Sequence, residues 1–297
     1  FQSFKTKALY SEYVPNKINA KGKKIDIYKM FKKIEMPYEW HSKLIKYCNK
    51  IGIIFISSPF DEEALGSLEN NNCPIYKIAS SEIGDLLLIK KIAKTKKPII
   101  LSTGKSNLNE IKRAIKWIEN EGNKKIILLH CTASYPAKYE SMNLNNIVTM
   151  KKNFNYKIGL SDHNMENITA VTAVALGAEV IEKHITINNK DKGPDHHFAL
   201  EPYKLKELVQ FIRNTEKSLG SFEKKIDKSE TKSKKIANRS LHAAKNLKKG
   251  QIISERDLII KRPNLGIEPR FYKKIIGKKI KRNIIEDKWI TWNDVEI

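Results

Sequence analysis

Short apolar runs alternate with segments of helical periodicity along most of the chain. The apolar runs lie at residues 51–60, 75–80, 98–103, 125–132, 157–162 and 178–184. Helical periodicity is found at residues 38–50, 83–94, 107–121, 165–177 and 203–219. Because the runs are continuously apolar, they are typical of parallel strands that are covered on both faces. The pattern therefore predicts an α/β protein built from repeated strand and helix units.

The number of strands favours a barrel. Phe1 and Gln2 run directly into a polar loop and indicate the end of a further strand, which makes seven strands together with the six apolar runs. We expect an eight-stranded (β/α) barrel of the TIM type that lacks its first strand in this chain. An open, doubly wound sheet is the alternative.

The pattern changes towards the C-terminal end of the sequence. Residues 223–235 are dominated by Lys, Ser, Asp and Thr, which is typical of a solvated linker. From residue 238 onward, short apolar segments are separated by turns that contain glycine, and this texture predicts a small all-β domain. We therefore divide the chain into a barrel domain at 1–222, a linker at 223–237 and a small domain at 238–297.

Composition narrows the classes of function. The formal net charge is +23, but the lysines that carry it are scattered, without zinc-finger spacing or a basic stripe with interleaved aromatic residues. This pattern argues against nucleic-acid binding and favours a positive cleft for an anionic substrate. Cys48, Cys73 and Cys131 are far apart and odd in number, which indicates a reducing compartment. No apolar run approaches the ~20 residues of a membrane span, so we expect a cytoplasmic protein without a membrane segment.

Two of the predicted strands end in histidine. The sequences SDH at 161–163 and EKH at 182–184 place His163 and His184 at the ends of neighbouring strands. Because the carboxyl ends of parallel strands lie on one face, we expect both imidazoles to face the same cleft. Neutral imidazole is a common ligand of transition metals, so the pair predicts a divalent-ion site with positions open to water or substrate. Two unrelated, hydrogen-bonded histidines are the alternative.

Further polar side chains follow the other predicted strands. They are Ser57 and Ser58, Lys77 with Ser80, Ser81 and Glu82, and Ser102 with Thr103 and Gly104. Hydroxyls, backbone amides and a lysine that converge from several strands favour a cradle for phosphate or another anion. Turn formation alone is the simpler interpretation of each serine or glycine. Asp195 follows Gly193-Pro194, a tight turn that directs its carboxylate, and a surface loop is the alternative there.

These residues fall within motifs that resemble the sialic acid synthase family, the bacterial N-acetylneuraminate synthases and their legionaminate and pseudaminate relatives. The motifs are KIASSE at 77–82, LSTGK at 101–105, LLHCTASYP at 128–136, GLSDH at 159–163, EKHIT at 182–186 and GPDHHFALEP at 193–202. The resemblance implies a barrel that condenses phosphoenolpyruvate with an N-acetylated mannosamine-type sugar and releases phosphate. It also implies a C-terminal antifreeze-like (SAF) domain that caps the active site of the neighbouring subunit in a homodimer.

The resemblance also implies roles for individual residues. His163 and His184 match the family's metal ligands, usually for Mn²⁺, with Mg²⁺ or Co²⁺ as alternatives. The phosphate and carboxylate of phosphoenolpyruvate are expected on Lys77, Ser80, Ser102, Ser161 and Ser58. The groups expected around the sugar are Glu82, Tyr135 and Asp195, with either carboxylate as the candidate for proton transfer, and Arg262 is expected to reach the neighbouring subunit's site. A metal on the aldehyde oxygen would act as a Lewis acid when C3 of phosphoenolpyruvate attacks.

Some features depart from the family pattern or leave alternatives open. Ala133 stands where some relatives have a polar side chain, and the family's first strand, with its acidic residue and Asn-His motif, has no counterpart. We therefore expect the chain to be a truncated form. N-acetylmannosamine is the first choice of sugar, and legionaminate or pseudaminate synthesis is the alternative. A non-catalytic protein that binds carbohydrate or a polyanion is the alternative from a different class.

Overall fold

The structure is a computed structural model that describes residues 1–18 and 24–296. The chain divides into two units, Phe1–Gly220 and Ser221–Ile297. The strands are β1 (Gln2–Ser3), β2 (Lys17–Ile18), β3 (Lys24–Ile25), β4 (Ser58–Pro59), β5 (Tyr76–Ile78), β6 (Ile99–Ser102), β7 (Ile126–Cys131), β8 (Lys157–Asp162), β9 (Ile181–Lys183), β10 (Ser240–Ala243) and β11 (Leu258–Lys261). The helices are α1 (Thr6–Leu9), α2 (Ile27–Lys32), α3 (Trp40–Ile51), α4 (Glu62–Asn70), α5 (Leu86–Lys94), α6 (Leu108–Asn120), α7 (Tyr139–Met142), α8 (Asn145–Asn153), α9 (Ile168–Ala175), α10 (Pro202–Leu219), α11 (Glu230–Ala237) and α12 (Tyr272–Ile275).

Parallel strands in sequential order organise the first unit. Strands β5, β6, β7, β8 and β9 form one five-stranded sheet, and β1 pairs with β4 in a second parallel sheet. A parallel bridge between Ser57 and Tyr76 connects β4 to β5. This order, with helices between the strands, matches the predicted barrel rather than the doubly wound alternative, in which the strand order reverses.

One predicted strand is much shorter in the structure. Helix α3 continues to Ile51 and ends at Gly52 in the left-handed region (φ +75°), so only Ser58–Pro59 of the run at 51–60 is strand. Ile53 and Ile54 are 55% and 66% exposed. Glycine at a helix C-terminus is a common stop signal, so Ile51 and Gly52 form the end of α3 and not the start of a strand, despite the apolar residues that follow. The prediction of a strand from residue 51 was therefore wrong.

Side-chain caps fix where some of the barrel helices begin, among them α4 and α6. The side chain of Asp61 accepts a hydrogen bond from the Ala64 amide (2.7 Å), and Asn107 forms a reciprocal capping box with Glu110 at the start of α6. Each cap satisfies amide groups that the first helical turn leaves unpaired. The helices then bury one apolar face against the sheet; in α6 these residues are Ile111, Ala114, Ile115 and Ile118. Full burial of each large aliphatic side chain contributes roughly 1.5–3 kcal/mol.

Gly159 allows β8 to approach its neighbours closely. A Cβ at this position would lie 2.3 Å from the carbonyl oxygen of Val180 and 2.6 Å from Cδ2 of Leu129. The same carbonyl accepts the amide hydrogen of Leu160 at 2.8 Å, so the backbone cannot retreat without losing a bond that holds β8 against the next strand. Glycine is the residue that fits such a backbone contact.

We therefore expect Gly159→Ala to destabilise the protein by about 3 kcal/mol, the upper end of the usual range for overpacking. Urea denaturation measures this change. Gly66→Ala is the matched control, because Gly66 lies within α4 with nothing within 4 Å of its Cβ position. Alanine there should stabilise the helix by up to ~1 kcal/mol. Equal unfolding free energies for Gly159→Ala and the wild type would contradict this account of β8.

The second unit is built from short β segments. Strands β10 and β11 are antiparallel, and isolated antiparallel bridges join His242 to Trp289 and Leu247 to Ile284. Its core contains Leu241, Leu247, Ile253, Ile280 and Ile290. The stretch predicted as a linker, 223–237, is exposed and contains α11, which the sequence pattern did not predict. Among the described residues, no helix is both long enough and apolar enough to cross a membrane.

Candidate active site

A cavity of about 550 Å³ lies at the carboxyl ends of the strands of the first unit. It brings together most of the residues that the sequence predicted for substrates and metal. These are Ser58, Lys77, Ser80, Ser102, Tyr135, Ser161, His163, His184 and Asp195. They come from six strands, β4 to β9, and the loops after them, which places this cavity on the catalytic face of a (β/α) barrel.

One side of the cavity carries a buried cation and several hydroxyls. Lys77 is 8% exposed, and its Nζ donates to the carbonyl of Ile78 (3.1 Å). Ser80 Oγ accepts the amide hydrogen of Gly104 (3.0 Å). Ser102 is 2% exposed, and its hydroxyl has no hydrogen-bond partner among the described residues. Burying such a group unpaired costs about 1–3 kcal/mol, so this hydroxyl is ready to bind an oxygen that enters the cavity.

The register between β8 and β9 places three pairs of side chains in successive positions. Ser161 lies opposite Glu182, and its hydroxyl donates to Glu182 Oε1 (2.6 Å). Asp162 lies opposite Lys183 and forms an ion pair with it. His163 and His184 are the next residue after each of these strands, and the centroids of their rings are 5.2 Å apart.

Glu182 is a cavity residue that the sequence analysis did not select. Its carboxylate accepts the Ser161 hydrogen bond and lies 3.7 Å from Lys77 Nζ. The signal was present in the sequence, because side chains two apart on a strand point to the same face. His184 was predicted to face the cleft, so Glu182 should have been predicted to face it too.

Each histidine ring has one nitrogen engaged by the protein. His163 Nδ1 lies 2.9 Å from the carbonyl oxygen of Thr132, and a carbonyl can only accept, so Nδ1 carries a hydrogen and Nε2 is the nitrogen left to bind a metal. His184 Nδ1 lies 3.4 Å from Asp195 Oδ2. The hydrogen bond from His184 holds the pKa of Asp195 below its ordinary value. This orientation, with an acceptor fixing one nitrogen, is how proteins prepare imidazoles as metal ligands.

The pair of imidazoles fits a metal site that is completed from outside the protein. Within the described residues, no group of three or more His, Cys, Asp or Glu side chains is arranged to hold a metal ion. The protein would therefore supply His163 and His184, and water or substrate would supply the remaining ligands, as in catalytic sites with open positions.

Comparison with known proteins gives the family. Residues 1–224 match the model of the NeuB family, and residues 238–296 match the SAF domain. The chain belongs to the NeuB family. It is 41% identical to the N,N'-diacetyllegionaminic acid synthase of Campylobacter jejuni over 98% of this chain and 88% of that protein. It is 38% identical to the pseudaminic acid synthase of Helicobacter pylori over 92% of this chain and 80% of that protein.

A solved structure extends the likeness to three dimensions. The N-acetylneuraminic acid (sialic acid) synthetase of Leptospira borgpetersenii superposes with a TM-score of 0.70 at 30% identity, covering 78% of each chain. The predicted resemblance to sialic acid synthases is confirmed, as is the predicted combination of a barrel-type sheet with a C-terminal SAF domain.

Glu82 was predicted for the site of this NeuB-family protein but does not line the cavity, whereas Arg262 was predicted for the site of the neighbouring subunit. Glu82 lies on the 3-10 turn Ser80–Glu82, which follows β5, and its carboxylate accepts the hydroxyl of Ser81 (2.7 Å). Arg262 follows β11 in the second unit and is exposed. Burial raises the pKa of Glu82 to about 7, which outweighs the opposing effects of Ser81, Lys105 and Lys77.

Because the pKa of Glu82 is raised, the free energy of unfolding is expected to depend on pH. Between its ordinary value of 4.5 and about 7 the folded protein holds a proton that the unfolded chain has lost, so stability falls as the pH rises through this interval. The difference of about 2.5 pKa units corresponds to roughly 3 kcal/mol at 1.36 kcal/mol per unit. Urea denaturation at pH 4.5 and pH 8 should show this loss in the wild type but not in Glu82→Gln. The control is Glu12→Gln at an exposed position, which should lose as much stability between the two pH values as the wild type does. If Glu82→Gln also loses as much stability as the wild type, burial of Glu82 is not the cause.

Proposed function

We propose that this protein condenses phosphoenolpyruvate with an N-acetylated mannosamine-type sugar, forming a nonulosonic acid and releasing phosphate. The observation that carries the proposal is the single cavity in which a buried lysine, a buried unpaired hydroxyl and two oriented imidazoles converge. Membership of the NeuB family supports it, because relatives of that family are synthases of legionaminic, pseudaminic and sialic acids.

The anion is proposed to bind on the side of the cavity formed by Lys77 and the serines. Lys77 supplies a fixed positive charge, and Ser102 supplies a hydroxyl without a competing partner among the described residues. Ser80, Ser161 and Ser58 line the same cavity, so the oxygens of a phosphate and a carboxylate meet several donors. Glu182 carries the opposite charge 3.7 Å from Lys77 Nζ. We infer that it orients this lysine and Ser161 when no substrate is bound.

The sugar is proposed to bind beside the imidazoles. The Tyr135 ring lies 4.3 Å from the His163 ring, centroid to centroid, and Asp195 lies beside His184. A divalent ion, with Mn²⁺ as the first candidate, would supply Lewis acidity toward the sugar aldehyde when bound by His163 and His184. We propose Asp195 rather than Glu82 as the carboxylate that contacts the sugar, because Asp195 lines the cavity and Glu82 does not.

The assembly is also a proposal. We propose a homodimer in which the SAF domain presents Arg262 to the site of the neighbouring subunit, in line with the family resemblance. The test is to mix two variants that are each expected to be inactive, Arg262→Ala and His163→Ala. In a dimer with one subunit of each, the barrel that keeps His163 receives Arg262 from the other subunit, so activity should return. We further propose a cytoplasmic location, which the three free, buried cysteines support.

The decisive experiment is an assay of phosphate release from phosphoenolpyruvate with a panel of N-acetylated hexoses. N-acetylmannosamine is the first candidate substrate. The identity of 41% to a diacetyllegionaminic acid synthase favours a di-N-acetylated hexose as the second candidate. Phosphate release that depends on one of these sugars supports the proposal. Sugar or polyanion binding without phosphate release, lost at modest salt, would support the non-catalytic alternative instead.

A further inference from the structure

A buried ion pair lies behind the two histidines. The Nζ of Lys183 lies 3.0 Å from Asp162 Oδ2, and the two side chains are 5% and 0% exposed. In the register of β8 and β9 this pair sits between the Ser161–Glu182 pair and the two histidines. Strand alternation directs its side chains away from the face that Ser161 and Glu182 share, although Lys183 also borders the cavity. There Asp162 Oδ2 accepts the hydroxyl of Thr169 from α9 at 2.7 Å.

The pair also holds the backbone that follows His163. Asp162 Oδ1 accepts the amide hydrogen of Asn164 (2.9 Å), and Lys183 Nζ donates to the Asn164 carbonyl (2.6 Å). The carbonyl of His163 itself accepts the Ala137 amide (3.0 Å). The residues on both sides of His163 are thus fixed by the pair, and Lys183 is the immediate neighbour of His184.

Stability alone is a poor explanation for two charges in this place. Removing two ions from water is costly, and exchange of a buried ion pair for neutral side chains of similar shape is often neutral or stabilising. A fully hydrogen-bonded ion pair is directional, so it fixes the position of β8 relative to β9.

We propose that Asp162 and Lys183 are positioning residues that set the distance and orientation of His163 relative to His184. The inference rests on the proposed metal site, but not on any activity. Neither side chain touches the reacting atoms in this scheme; both act through the histidines that follow them in the sequence.

The test is the double variant Asp162→Asn/Lys183→Met, which removes both charges and approximately keeps the shape. We expect its thermal unfolding midpoint to stay close to that of the wild type. We expect its dissociation constant for Mn²⁺, measured by isothermal titration, to rise at least ~10-fold, as when the groups that orient a metal ligand are lost. The control is Lys157→Met, because Lys157 pairs with Glu179 across the opposite ends of the same two strands, where both side chains are exposed. It should bind Mn²⁺ as the wild type does.

Two further measurements keep the test decisive. Thr169→Val removes the hydroxyl donated to Asp162 with little change of shape, so it should fold even if the double variant does not, and it should weaken Mn²⁺ binding about fivefold, the effect of one hydrogen bond. Nitrogen-15 NMR of the histidine rings without metal reports whether the imidazoles have moved. If the wild type fails to bind Mn²⁺, the metal proposal falls, while altered ring signals still support the positioning role. Wild-type Mn²⁺ affinity and unchanged ring signals in the folded variants overturn it.

Discussion

Replacing either His163 or His184 by alanine is expected to abolish Mn²⁺ binding and to lower the rate of phosphate release by about 10³-fold or more. The two rings lie edge to face with 5.2 Å between centroids, and within the described residues no group of three or more ligating side chains would retain the ion. Loss of a Lewis acid removes several kcal/mol of stabilisation from the transition state, and about 4 kcal/mol corresponds to a factor of 10³. Isothermal titration and a phosphate-release assay measure the two effects.

The matched control is His197→Ala. His197 is exposed, is close in sequence to Asp195 and does not line the cavity. It should keep both the Mn²⁺ affinity and the rate of the wild type. Incubation of the wild type with a chelator should reproduce the loss of rate, and added Mn²⁺ should restore it. Undiminished Mn²⁺ binding in both His163→Ala and His184→Ala would exclude the assigned ligands.

Replacing Lys77 by methionine is expected to reduce kcat/KM for phosphoenolpyruvate by about 10²–10³-fold. Lys77 is the buried cation of the proposed anion cradle, and removal of one partner from such a charged contact costs about 2–5 kcal/mol. The fold should survive, because methionine keeps most of the buried stem and Glu182, which loses its neighbour, is 37% exposed. Steady-state kinetics at varied phosphoenolpyruvate, together with thermal unfolding, separate the two effects.

Lys94→Met serves as the control for Lys77→Met. Lys94 is exposed on α5, outside the cavity, and its replacement removes the same formal charge from the chain. It should leave kcat/KM within about twofold of the wild type at physiological salt, because salt screens an exposed charge far more than a buried one. Equal losses in both variants would show that net charge, rather than the cradle, attracts the substrate.

The sequence could predict which residues end the strands, but not which of them pair across strands. The apolar runs located β5 to β9, and strand ends then implied that His163 and His184 share a face. The ion pair of Asp162 with Lys183 depends on register, which is set when the strands meet and is not encoded in either segment alone. Burial is likewise a property of the assembled fold. For that reason the raised pKa of Glu82 could not be predicted, although Glu82 itself was selected.

The separation of strand-borne and loop-borne groups has a consequence for changing the sugar specificity. Lys77, Ser102 and Ser161 belong to strands β5, β6 and β8, whereas Asp195 lies in the segment between β9 and α10. That segment is closed by its own contacts, since Asn189 Nδ2 donates to the carbonyls of His196 (2.8 Å) and Ala199 (2.6 Å). Residues 189–199 can therefore be exchanged as a cassette for those of a relative with a different sugar, provided that Asp195 and Phe198, which contact His184, are kept. The resulting chimaeras would sample new acceptors while the donor half of the reaction stays intact.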